Sequence, residues 1–192
     1  MEITFSEKEQ AFYDEVEEFI QKEVPSDWYT KPVTWPGDYS SSGYGEQENY
    51  ETIAKVRKKM IEKGWLTIAW PKEYGGMAAS NMDQAILDER LSYYKVPAAD
   101  VLAAGIVAPT ILRVGTDEQK SEWIPKIASG SISMFLAYSE PNAGSDLAGV
   151  QTLAVEEADH YVVNGQKCWS SGAHLTDYGW MICRTDPDAR KH

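Results

Sequence analysis

The sequence pattern changes once, at Gly130, and this change constrains the fold more than any other feature. Before Gly130, apolar residues recur with the three-to-four-residue spacing of amphipathic helices. After it, short runs of β-branched and aromatic residues alternate with turn residues. A run of helices followed by a run of strands is typical of an α+β protein with separate helical and β domains. We therefore predict a helical domain over residues 1–130 and a β domain over residues 131–192.

Five helices are predicted before Gly130. Two cover about residues 48–63 and 101–113, and the other three begin where side chains can cap a helix start. Pro125 lacks an N–H group and is expected to bend or interrupt the fifth helix. Residues 26–45 show no periodicity and are predicted to form a long loop. At each capped start, a hydroxyl residue can exchange hydrogen bonds with the residue three positions later: Ser6 with Glu9, Ser80 with Asp83, and Thr116 with Gln119.

Four or five short strands are predicted after Gly130. Asn164-Gly165 lies between two β-prone runs, and this pair favours a hairpin turn because both residues tolerate positive φ. The expected product is an incomplete antiparallel sheet, since residues 185–192 are typical of a turn that leads into a further strand. The predicted strands cover residues 133–139, 151–155, 161–163, 166–170 and 178–184.

Composition excludes several classes of partner. Thirty acidic residues against eighteen basic ones give a net charge of −12, which disfavours binding to a nucleic-acid backbone. The longest apolar stretch, residues 101–112, is too short to span a bilayer. The first four residues include no basic residue, so no secretory signal is predicted and the expected location is the cytoplasm. The spacing of cysteines and histidines matches no metal site.

Two segments carry candidate binding residues. In residues 137–149, Ser139, Ser145 and Asp146 lie on a backbone loosened by Gly144, and such a loop can offer donors to a polar or anionic ligand. An ordinary turn, with Asp146 capping its own backbone, explains the same residues.

The second candidate segment, residues 167–171, is Lys-Cys-Trp-Ser-Ser. The ring of Trp169 could form a wall for a planar cofactor while the Ser171 hydroxyl donates to the cofactor's edge. The alternative is that Trp169 fills the core between two layers, as aromatic residues on strands commonly do.

In these segments and three others, the sequence resembles the acyl-CoA dehydrogenase family. The five motifs occur in the family's order and cover nearly all of the chain. The form Trp-x-Ser-Gly-Ala-His from Trp169 onward resembles bacterial members, some of which act on branched, alicyclic or steroid side-chain thioesters. The five motifs lie at residues 64–76, 115–130, 138–146, 163–169 and 184–187.

The resemblance implies a fold, a cofactor and a reaction. The fold would be an all-α N-terminal domain, a β-barrel-like middle domain and a C-terminal helical bundle, and the chain would lack that bundle and part of the barrel. The cofactor would be FAD, and the reaction α,β-desaturation of an acyl-CoA thioester. Electrons would pass to an electron-transfer flavoprotein. The setting would be cytoplasmic lipid metabolism, as in fatty acid β-oxidation, with the full-length protein a homotetramer or another homo- or hetero-oligomer.

The resemblance also assigns roles to individual residues. Tyr138 and Ser139 would contact the flavin ring, Trp169 would stack beside it, and Ser171 would hydrogen-bond near its reactive nitrogen. Ser145 would lie by the CoA part of the substrate or the phosphate region of the cofactor.

No catalytic residue is expected in this chain. The family's base is a glutamate of the C-terminal bundle, which would lie beyond His192, and Glu140 takes a structural role in its loop. The chain alone is therefore expected to be inactive. A flavin oxidase, or a non-catalytic partner subunit on the same fold, remains an alternative.

Overall fold

The chain divides into two compact units, Met1–Gly130 and Ser131–His192, which we call the helical unit and the β unit. The computed structural model describes residues 4–30, 47–96 and 102–190. Most of the loop predicted over 26–45, and the first residue of the helix predicted over 101–113, lie outside these ranges. No helix in the described part of the chain combines the length and apolar character that a bilayer span requires.

The helices predicted for the first 130 residues are present in the helical unit. The helix predicted over 101–113 is a π-helix, Ala103–Val107, that runs directly into an α-helix. Short 3₁₀ turns lie at Trp28–Thr30, Trp65–Thr67 and Lys72–Tyr74. The α-helices are α1 (Glu7–Glu23), α2 (Gln47–Glu62), α3 (Asn81–Tyr93), α4 (Ala108–Val114) and α5 (Asp117–Ala128).

All three predicted capping boxes are present, at the starts of α1, α3 and α5. At α1, the Ser6 N–H donates to Glu9 Oε2 at 2.7 Å and the Glu9 N–H donates to Ser6 Oγ at 3.3 Å. Gly130 follows the last helix with a φ of 65°, a conformation that suits glycine because it has no Cβ. These local signals explain why the helix starts were predictable from short sequence windows.

Pro125 does not interrupt α5, so the predicted interruption is wrong. The helix continues through Pro125 to Ala128. Proline removes only one intrahelical hydrogen bond, and its fixed φ is compatible with a helix. The side chains of Ile124 and Ile127 are buried on either side of Pro125, and their burial offsets the lost bond.

The core of the helical unit gathers apolar side chains from three helices and the turn after α2. Trp65, on that turn, is only 3% exposed. Its ring lies edge-on to the rings of Phe12 and Phe19, with centroid distances of 5.8 and 5.0 Å. The other buried members are Val16, Ile20, Val56, Met60, Ile68, Leu87, Leu91 and Val96.

The β unit contains four short strands in the described residues: β1 (Met134–Ala137), β2 (Leu153–Glu156), β3 (Tyr161–Asn164) and β4 (Tyr178–Met181). β2 and β3 pair antiparallel. β1 and β4 pair in parallel, so the expected antiparallel arrangement is wrong for this pair. The long connection between the two strands permits parallel pairing. These strands form two separate two-stranded sheets and no closed barrel. The predicted α+β class with an incomplete β domain is confirmed.

The hairpin predicted at Asn164-Gly165 is wrong. β3 turns back onto β2 through residues 157–160, where the Glu157 N–H donates to His160 O at 2.9 Å. Residues 166–170 form no strand, and neither Asn164 nor Gly165 has a positive φ. A Cβ at Gly165 would lie 2.3 Å from Thr152 Oγ1. Glycine is therefore needed at position 165 because the backbone passes close to Thr152, and not because it forms a tight turn.

Candidate functional site

The loop after β1 folds back on itself at Glu140. Glu140 and Ala143 exchange two backbone hydrogen bonds, of 2.8 and 3.1 Å, around Pro141 and Asn142. A tight turn is therefore present, as the simpler interpretation of this segment expected. The turn fixes the direction of the preceding residues, Tyr138 and Ser139.

A second segment, residues 167–169, lies against this loop. The Cys168 N–H donates to Ser139 O at 2.9 Å, and Lys167 Nζ donates to Tyr138 O at 3.0 Å. Three of the predicted site residues, Tyr138, Ser139 and Trp169, are thereby brought onto two adjacent stretches of backbone. We call residues 138–140 and 167–171 together the paired segments.

Trp169 does not fill a core in the described structure, so that alternative is wrong. Its side chain is 89% exposed, and its backbone has a φ of 59°. Positive φ is uncommon for a bulky residue because of contacts between Cβ and the backbone. Strained backbone residues cluster at functional sites, so this conformation supports the hypothesis of a site at Trp169. Ser171 continues this turn, with its N–H donating to Trp169 O at 3.0 Å.

The predicted serine hydroxyls are available for a ligand. Ser139 is half-buried, whereas Ser145 and Ser171 are exposed. Within residues 4–30, 47–96 and 102–190, no protein group hydrogen-bonds to these three hydroxyls. Ser145 differs in position, because it lies past the Glu140–Ala143 turn and no described hydrogen bond joins it to the paired segments.

Glu140 is the electrostatic centre of the paired segments. Its Oε1 accepts from the Thr152 N–H at 2.8 Å and from Lys167 Nζ at 2.9 Å, and its Oε2 accepts from the Gln151 N–H at 2.7 Å. Burial alone would raise the pKa of Glu140, but hydrogen bonds from Thr152, Gln151 and Lys167 lower it to about 2. A carboxylate so engaged is ionised at neutral pH and poorly suited to accept a proton from a substrate.

The pairing of Glu140 with Lys167 is a feature that the sequence reasoning missed. A signal was present, since Glu140 is the only charged residue between Lys126 and Asp146. Lys167 is likewise the only one between Asp159 and Asp177. Two isolated charges of opposite sign in otherwise uncharged stretches of a β domain favour a buried pair.

Comparison with protein families gives two matches that together cover most of the chain. Residues 6–131 match the family model described as acyl-CoA dehydrogenase, N-terminal domain. Residues 135–192 match the model of the acyl-CoA dehydrogenase middle domain.

Two curated relatives come from Mycobacterium tuberculosis strain H37Rv. Acyl-CoA dehydrogenase FadE26 is 40% identical over 183 residues, which is 94% of this chain and 46% of the relative. Acyl-CoA dehydrogenase FadE29 is 42% identical over 137 residues, which is 71% of this chain and 35% of the relative. The chain thus spans about half the length, or less, of these relatives.

Solved structures give the same coverage. The Tcur3481–Tcur3483 steroid ACAD matches 100% of this chain and 47% of that chain, with a TM-score of 0.82 and 34% identity. The ChsE4–ChsE5 complex from Mycobacterium tuberculosis matches 97% of this chain and 45% of that chain, with a TM-score of 0.79 and 36% identity.

Proposed function

This chain belongs to the acyl-CoA dehydrogenase family, and on that premise we propose that it is the part of an FAD-dependent dehydrogenase that holds the flavin ring. The observation that carries the proposal is the exposed, positive-φ Trp169, held beside Tyr138 and Ser139 by the bond from Cys168 to Ser139. A planar cofactor needs a flat apolar face with donors at its edge. The paired segments supply both.

The described residues fit a flavin in the following way. The Trp169 ring would cover one part of the isoalloxazine and exclude water from it. The Ser139 and Ser171 hydroxyls would donate to its polar edge, where donors tune its electron affinity. Tyr138 would contact the ring, and Ser145 would meet the CoA moiety or the phosphates. When bound, FAD would supply the hydride acceptor for α,β-desaturation of an acyl-CoA thioester.

We do not assign any residue of the paired segments as the base that removes the substrate's α-proton. Glu140 is the only carboxylate of the paired segments. Its lowered pKa keeps it ionised, and both of its oxygens already accept hydrogen bonds from the protein. The paired segments would therefore bind the cofactor without supplying the base, and we expect the 192-residue chain alone to show no dehydrogenase turnover.

The substrate class and partners follow from the relatives and rest on the same proposal. A bulky acyl group is supported by the similarity to the Tcur3481–Tcur3483 protein, which is named a steroid ACAD. We propose an electron-transfer flavoprotein as the electron acceptor. One similar chain, with 26% identity and a TM-score of 0.69, belongs to a structure named for the electron transferring flavoprotein of Acidaminococcus fermentans. We propose an oligomeric enzyme of cytoplasmic acyl-CoA oxidation.

A non-catalytic partner subunit is a second candidate. It is supported by the two similar structures above, because the name of each gives two components. Such a subunit would share the fold without using the flavin surface.

The test is an FAD titration of the chain, followed by flavin fluorescence and by assays with acyl-CoA and an artificial electron acceptor. We expect weak binding, with a Kd of about 1 μM or higher, and no turnover. Trp169→Ala should weaken binding about tenfold, because stacking area is lost. The control Tyr161→Ala removes another exposed aromatic side chain of the β unit and should leave the Kd unchanged.

Four results would decide against this account. Equal FAD affinity for the Trp169→Ala variant would remove the ring-stacking role. No FAD binding at all would favour the partner-subunit function. Robust turnover of the chain by itself would place a base within it, and hydrogen peroxide formed in air would indicate an oxidase.

A further inference from the structure

Glu140 and Lys167 form the most deeply buried ion pair between side chains in the described part of the chain. Glu140 Oε1 lies 2.9 Å from Lys167 Nζ, and the two side chains are 8% and 11% exposed. The next most buried pair, Arg90 with Glu17, is 12% and 17% exposed and lies in the helical unit. Burying two charges is costly, so the geometry of this pair requires an explanation.

The pair connects three separate stretches of backbone. Glu140 accepts from the N–H groups of Gln151 and Thr152, at the start of β2. Lys167 donates to Glu140 and also to Tyr138 O at 3.0 Å. The bond from Lys167 Nζ to Tyr138 O therefore ends on a residue of the candidate flavin surface, whereas the bonds from Gln151 and Thr152 tie Glu140 to the chain just before β2.

Only two described hydrogen bonds join residues 138–139 to residues 167–169. One is the backbone bond from Cys168 N–H to Ser139 O, and the other is the bond from Lys167 Nζ to Tyr138 O. Losing the second would leave Trp169 attached to Ser139 through a single bond one residue away. Since Trp169 is itself exposed, little other packing would hold its position.

We propose that Glu140 and Lys167 are positioning residues that fix Trp169 relative to Tyr138 and Ser139, in addition to any contribution to stability. A buried pair adds little stability over a neutral pair of the same shape, whereas it imposes a specific geometry. The consequence for FAD rests on the proposed function, but the fixed backbone geometry does not.

The experiment compares Glu140→Gln, Lys167→Met and the double variant, because the double variant removes the charges without leaving either one unpaired. The readouts are the Tm, the FAD Kd and the hydrogen-exchange rate of the Cys168 amide. Each single variant should lower the Tm and raise the Kd. The double variant should recover most of the Tm, while its Kd stays about tenfold above the wild-type value and its Cys168 amide exchanges about tenfold faster.

The control is Lys126→Met, which removes the same charge from the exposed Lys126–Glu122 pair and should change neither FAD affinity nor Cys168 exchange. A double variant that recovers both the Kd and the Cys168 protection along with the Tm would overturn the proposal and leave the pair purely structural.

Two further outcomes are also decisive. If the double variant does not fold, the single variants decide: Lys167→Met, which breaks the Tyr138 bond, must accelerate Cys168 exchange more than Glu140→Gln does. The reverse order would overturn the proposal. If the wild-type chain binds no FAD, the proposed function fails, but the exchange rates still test the positioning role.

Discussion

The helical unit and the β unit are each stabilised internally by a different kind of interaction. The helical unit encloses a continuous cluster of apolar side chains, and its helices begin at capping boxes. The strands of the β unit are far more open, since every residue of β3 is exposed and β4 has only one half-buried position. Apolar burial is therefore extensive in the first unit and limited in the second, where the buried apolar residues are Met134, Ala137, Ala143, Val150 and Ala154.

In the β unit, charged side chains bonded to backbone groups add to the small amount of apolar burial. Besides Glu140 and Lys167, the Arg184 guanidinium donates to Ala148 O at 3.1 Å and Ala189 O at 3.0 Å. Asp177 Oδ2 accepts from Ser133 N–H at 2.8 Å, next to the pairing of β1 with β4. Directional bonds of this kind fix backbone position more closely than non-directional apolar contact does. The candidate site lies in the unit held in this way.

Truncating a tryptophan in each unit is expected to give the largest difference in stability between them. Trp65→Ala should lower the free energy of unfolding of the helical unit by about 3–5 kcal/mol, because it removes a buried ring packed edge-on against Phe12 and Phe19. Denaturant unfolding followed by far-UV circular dichroism measures this change.

The matched substitution in the β unit is Trp169→Ala. Because the Trp169 side chain is exposed, stability should change by less than about 0.5 kcal/mol. Equal losses for the two variants would contradict the contrast between a core-stabilised and a bond-stabilised unit.

A smaller effect is expected from acid, and it should act through Glu140. Its pKa in the folded chain, about 2, lies below its ordinary value of 4.5. The carboxylate therefore stabilises the fold fully above about pH 4.5, and this stabilisation is lost as the pH falls toward 2. The stability difference between the wild type and Glu140→Gln should be largest near neutral pH and shrink steadily below pH 4.5.

Thermal unfolding of both proteins from pH 7 to pH 3 measures this difference. The helical-unit variant Trp65→Ala provides the comparison, because it alters no titratable group and its destabilisation should not follow the Glu140 titration. A Glu140→Gln difference that stays constant across this range would show that the charge of Glu140 contributes nothing to the fold.

The helical unit was largely predictable because its signals are local. The capping boxes at Ser6, Ser80 and Thr116 each lie within four residues, and all three form as expected. Pro125 was misjudged because its local preference is offset by burial of Ile124 and Ile127, which depends on residues distant in sequence.

The β unit was less predictable because its determinants are distant in sequence. Asn164-Gly165 carries a strong local turn signal, yet the approach of Gly165 to Thr152 decides its conformation. Glu140 and Lys167 are 27 residues apart, and their pairing appears only once the chain is folded. Tyr138, Ser139 and Trp169 were predicted to contact one cofactor, and the structure brings their two segments together. The exposure of Trp169 could not be inferred from a residue type that is usually buried.

The most direct test of the flavin surface is hydrogen–deuterium exchange of the chain with and without saturating FAD. If the paired segments bind the flavin ring, exchange should slow at residues 138–140 and 167–171. It should remain unchanged in the β2–β3 hairpin, residues 153–164, in which β3 is exposed throughout but which lies outside the proposed surface. Protection confined to the hairpin, or absent from both paired segments at saturation, would contradict the assignment of Trp169 and its neighbours as the flavin-binding surface.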